Sequence, residues 1–158
     1  MTHSRAGGLR RILLALLSLG IVVTSVDLLL LQHYEDIWQF VPLVLNGVGI
    51  AAIACFLLTG APYSLRLMQA VMGLLVLAGM AGVVLHFQGN MEFQLDIDPS
   101  LSTWDLCWKV LRSKAPPALA PAAIAQLGLL GLVFCYRHPA LSSVRADQGR
   151  VHEEGMEE

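Results

Sequence analysis

The stretch that decides the fold is Leu65 to Phe87, LRLMQAVMGLLVLAGMAGVVLHF, in which only Arg66, Gln69 and His86 are strongly polar. At 1.5 Å of rise per helical residue it is long enough to cross a hydrocarbon layer ~30 Å thick. Three further runs share its character. Arg10 and Arg11 open one from Ile12 to Leu31, interrupted by Ser18, Thr24, Ser25 and Asp27; the others extend from about Ile37 to Leu58 and from about Pro117 to Tyr136. Of the 158 residues 56% are hydrophobic and 14% charged, and the mean hydropathy is +0.64, which excludes an ordinary soluble domain. The expected class is an all-α membrane protein. Its form would be a four-transmembrane-helix bundle over residues 1–140 with a disordered cytoplasmic tail over 141–158, where Ser, Arg, Gln and Glu leave almost nothing to bury.

Short connections fix which spans are neighbours. Gly60, Pro62 and Ser64 separate the second run from the third, and His33-Tyr34-Glu35-Asp36 joins the first to the second, so each pair is antiparallel. Orientation follows from the basic residues, which resist translocation when they flank a span. With both termini cytoplasmic, Arg5, Arg10, Arg11, Arg66, Arg137, Arg145 and Arg150 lie inside, and Lys109, Arg112 and Lys114 outside. The expected location is a bacterial-type inner membrane. A cleavable signal peptide is the competing reading of the first run, but that run is too long and no small-x-small site follows before Asp27.

Residues 88–116 are too many for a bare turn. Met91 to Asp98 alternates apolar and polar, the period of an extended strand, and Pro99 ends it. Ser102-Thr103-Trp104-Asp105 fits a capping box and predicts a helix start. Trp104, Cys107, Trp108 and Leu111 then fall at i, i+3, i+4 and i+7, which predicts a short extracytoplasmic amphipathic helix between spans 3 and 4, anchored at the interface by Trp104 and Trp108. Ala115-Pro116-Pro117 breaks it and aims the chain into the fourth span.

Polar side chains at membrane depth are costly, so each is a candidate site. Asp27, Asn46, His86 and Gln126 form the expected intramembrane polar cluster, all in the outer half, with Gln69 alone in the inner half. Asp27 continues a stripe with Gly20 and Thr24, a face from which it would meet His86 and exchange a proton. His33, Glu35 and Asp36 are outer-face candidates, and two imidazoles, His33 and His86, would be the axial ligands of a haem. No HExxH or CxxCH motif is present, so no cofactor and no metal is expected. Cys55, Cys107 and Cys135 are scattered, without the dithiol a thiol oxidoreductase needs, and Cys55 and Cys135 suit helix packing. A formal charge of −2 removes nucleic acid as a partner. Gly47, Gly49, Ala78, Gly82, Gly128 and Gly131 allow close helix approach.

Four spans with a carboxylate in the first resemble the layout of small multidrug exporters at the level of fold alone. Those chains are shorter, use Glu in that role and have no outer loop of this length. The leading expectation is a non-enzymatic accessory or assembly subunit whose partners are the lipid bilayer and other membrane subunits or a second copy of the chain. Two rivals are a proton-coupled small transporter using Asp27 with His86, and a haem- or metal-binding membrane redox protein using the outer histidines.

Overall fold

A computed structural model describes residues 2–114 and 117–141, and among these every regular element is helical. The expected tail lies outside the described residues apart from Leu141, as does the Ala115-Pro116 break. The elements are α1 (Thr2–Leu30), α2 (Ile37–Thr59), α3 (Pro62–Ile97), α4 (Thr103–Leu111) and α5 (Ala122–Cys135). Three of them, α1 from Gly7, α2 and α3, are long and apolar enough to cross a membrane.

Local chemistry sets the boundaries. Asp36 caps α2 by accepting from the Trp38 amide at 3.0 Å, while Gln39 accepts from the Glu35 and Asp36 amides, a full capping box. Gly60 ends α2 at φ 60°, a left-handed conformation that suits a residue without Cβ. Pro62 then starts α3 after a single residue, Ala61.

α1, α2, α3 and α5 pack side by side around Leu17, Ile21, Ile53, Met68, Met72 and Leu75. Glycines bring the backbones together. A Cβ at Gly128 of α5 would stand 2.6 Å from the Met72 carbonyl oxygen, and one at Gly82 of α3 would stand 2.7 Å from Pro121. Gly79 touches the Ala125 backbone in the same way, so the small-residue face of α3 is Gly79 with Gly82 rather than Ala78 with Gly82. These pairings show α5 antiparallel to α3. Gly20 against Leu127 and Leu17 against Gly131 make it antiparallel to α1 as well.

The outward faces of the long helices are apolar too, with Leu16, Leu19, Val23, Leu57, Leu74 and Leu77 exposed. Rings mark both ends of this apolar surface: Tyr34 and Trp38 at one, Tyr63 and Tyr136 at the other, all exposed. Trp38 and Thr59, near the two ends of α2, are about 32 Å apart at helical rise, the thickness of a hydrocarbon layer. The molecule is built as a membrane protein.

Three sequence expectations are corrected. Residues 91–97 are not a strand but the last turns of α3, because Phe87, Met91 and Leu95 recur every four residues and pack on Leu106, Val110 and Ala118. Alternation over eight residues concealed that stripe. The amphipathic helix exists as α4, yet its buried face is Leu106 and Val110; Trp104 and Trp108 point outward, 76% and 53% exposed. In place of one continuous helix over 117–136, a turn at Pro117–Pro121 precedes α5, which at about 21 Å is shorter than the hydrocarbon layer.

Candidate functional site

Two ends of the helix assembly collect the polar groups. The α3–α4 hairpin marks one of them, and Arg10 marks the other.

At the hairpin end the α1–α2 turn passes the middle of α3. Gln32, at φ 53°, turns the chain out of α1, and the His33 amide donates back to the Leu28 carbonyl at 2.9 Å. That turn sets the His33 ring 6.2 Å from the His86 ring, tilted by 57°. His86 in turn holds Pro117: its Nδ1 lies 3.1 Å from the Pro117 carbonyl oxygen. A carbonyl only accepts, so Nδ1 carries the proton and Nε2 of the neutral ring keeps its lone pair. Burial, and then the neighbouring charge of His86, lowers the His33 pKa below its ordinary value of 6.5. Both rings are half-buried, and among the described residues no third His, Cys, Asp or Glu completes a metal-binding group with them. Chemically the pair can exchange a proton or offer two nitrogens.

One turn further along α3, Asn90 is buried and was not singled out in the sequence. Its Nδ2 donates to the His86 carbonyl at 2.9 Å, and its Oδ1 accepts from Ser113 Oγ at 2.8 Å. The Asn90–Ser113 and His86–Pro117 bonds clamp the chain that leaves α4 against α3. The signal was the i, i+4 spacing of His86 and Asn90, legible only once α3 was known to continue past Phe87.

The other candidates are dispersed. Asp27 is exposed, and its carboxylate makes no hydrogen bond or ion pair among the described residues, so it does not meet His86. Thr24, on the same stripe, donates to the Gly20 carbonyl instead, at 2.7 Å. Glu35 is exposed, and Asp36 serves as the α2 cap. Asn46 is 0% exposed, with Nδ2 and Oδ1 both unpaired. It lies one turn from Gly49, which packs on Ile21 and Met72, so an unsatisfied amide occupies the interior of the apolar core. Gln126 is the opposite case, exposed on α5 between the buried Ile124 and Gly128. Trp104 and Trp108 stack on each other, ring centres 6.4 Å apart and planes within 5°, with the Arg112 guanidinium 5.9 Å from the Trp108 ring.

At the Arg10 end, Arg10 Nη2 donates to the Arg137 carbonyl at 2.9 Å and the Tyr136 carbonyl at 3.4 Å. A cation there satisfies carbonyls that the end of α5 leaves open and suits the negative pole of that helix. His138 packs edge-on to Phe56 at 5.3 Å, and burial, with the charge of Arg10, lowers its pKa below 6.5. Cys135 is buried and Cys55 half-buried, both unpaired as disulfides, as expected of packing residues.

No protein-family model matches the chain, and neither curated proteins nor solved structures show significant similarity to it.

Proposed function

We propose that the chain is a four-span protein of a bacterial-type inner membrane, with both termini cytoplasmic, acting as a non-enzymatic accessory or assembly subunit that offers helix faces to other membrane chains. The observation that carries this reading is Gln126. It stands on the outward face of α5 with Leu129 and Val133, at i, i+3 and i+7. Ten residues separate it from Tyr136, which puts it about 15 Å below the Arg10 end, near mid-depth. An amide facing hydrocarbon lacks water to bond, whereas one facing a second helix finds a partner. Asp27 adds a second unpartnered polar group on an outer surface, closer to the interface.

Support for a fourth span comes from the ends of the segment rather than from the length of α5. Pro117 is bonded to His86 at the hairpin end and Arg137 to Arg10 at the opposite end, which supports a crossing by residues 117–137. Orientation rests on the basic residues, seven of ten falling on the cytoplasmic side.

Gln126→Leu tests the proposal. Extracted in mild detergent, the unaltered chain would elute with a partner subunit or a second copy, and the variant would elute alone at unchanged expression. A chain that always elutes alone would refute the subunit reading.

A further inference from the structure

We infer that the end of α4 nearest the spans, with Lys109, Arg112, Lys114 and Trp108, is a binding surface for the phosphate groups of anionic lipids in the leaflet it overhangs. The inference rests on the reading of α1 to α3 as spans, but on neither the partner subunit nor the side of the membrane.

Height decides where this surface lies. α3 runs eleven residues past His86, so its tip stands about 16 Å beyond the level of that histidine. α4 returns along it, Leu106 and Val110 packed against Phe87, Met91 and Leu95. The helix therefore stands along α3 rather than lying flat on the lipid. The Ser113–Asn90 bond brings its end back to one turn above His86, about 6 Å from the level of that ring. That is headgroup height, since headgroups add ~5–8 Å outside the hydrocarbon on each face.

Charge is sorted along the same axis. Asp96, Asp98 and Asp105 belong to the distal part of the hairpin, while Glu92, two residues past Asn90, stands lower, near the level of Arg112. Lys109, Arg112 and Lys114, the three basic residues of this connection, fall within six residues at the proximal end and are all exposed. Three of the four acidic residues of the hairpin stand away from the bilayer and its three basic residues nearer to it, an arrangement that suits an anionic leaflet. Glu35 and Asp36 of the α1–α2 turn are the acidic groups at the level of His86. Trp108 is exposed on the same stretch, and Arg112 lies over its ring. An indole beside two or three cations can lie against the headgroups while guanidinium and ammonium groups take the phosphates.

The test uses the full chain with Trp38→Phe and Trp104→Phe, leaving Trp108 as the single indole, reconstituted in nanodiscs of zwitterionic phosphatidylcholine. A small fraction of acyl-brominated lipid is added, either phosphatidylglycerol or phosphatidylcholine, and Trp108 fluorescence is read. The expected result is that the brominated anionic lipid reaches half-maximal quenching at roughly tenfold lower fraction. Lys109→Gln, Arg112→Gln and Lys114→Gln together would abolish that preference while the far-ultraviolet circular dichroism stays unchanged. Equal quenching by the two lipids, or a preference that survives the triple substitution, would overturn the inference. Both leaflets of a nanodisc have one composition and each disc holds one chain, so an error in orientation or in the subunit proposal leaves this readout unaffected.

Discussion

At the scale of single residues, the molecule separates polar groups that are held from polar groups that are not. His86, Asn90, Ser113 and Arg10 are bonded; among the described residues Asn46, Asp27 and Gln126 find no partner. An amide such as Asn46 with both atoms unpaired in the core costs about 1–3 kcal/mol per group, so it is retained against stability. The histidines carry a stability consequence with a definite sign. His33 and His138 both have folded pKa values below 6.5, each first through burial, so the unfolded chain binds protons more readily than the folded one. Stability is full above pH 6.5 and is lost as pH falls from there towards the depressed folded values. The thermal midpoint in detergent should therefore drop on acidification below pH 6.5. His33→Gln with His138→Gln should flatten that dependence, and an unchanged slope would refute the assignment.

Among the elements, the α3–α5 contact depends most sharply on the absence of side chains. At Gly128 an added Cβ would meet Met72 O at 2.6 Å, Val76 Cγ2 at 2.8 Å and Val76 N at 2.8 Å, and the two backbone atoms move only if the helices separate. Gly128→Val should cost about 1–3 kcal/mol by overpacking, read as a lower unfolding midpoint. Gly47, with nothing within 4 Å, is the control: Gly47→Ala should leave the midpoint unchanged or raise it. The long apolar runs, the Ser102 cap and the Gly60-Ala61-Pro62 turn were legible in the sequence because each depends on neighbours along the chain, whereas Asp36, expected as an outer-face site residue, is the α2 cap. The end of α3 was not. Met91 to Asp98 satisfies a period of two and a period of four at once, and only the packing of Met91 and Leu95 under α4 chooses between them. The face α4 buries was hidden for the same reason, since Leu106 and Val110 are two residues against the four of the stripe Trp104, Cys107, Trp108 and Leu111, and smaller than its tryptophans.

For the molecule as a whole, composition made the membrane class legible, whereas convergence of side chains across helices was not. The His33–His86 approach depends on how the α1–α2 turn leans on α3, and the outward aim of Asp27 and Gln126 depends on helix rotation, neither of which spacing along one chain determines. The open question at this scale is whether the short α5 and its proline turn complete a fourth crossing. Native Cys107 lies on α4, before that crossing, and a cysteine introduced by Ser143→Cys lies after it. In a background of Cys55→Ser and Cys135→Ser, with Cys107→Ser added in the Ser143→Cys chain, each single-cysteine chain is exposed on intact cells to a membrane-impermeant maleimide. Four crossings with both termini cytoplasmic require Cys107 to label at once and the Ser143→Cys position to label only after permeabilisation. Labelling of both positions from the same side would show that α5 does not cross, and the four-span architecture would fall.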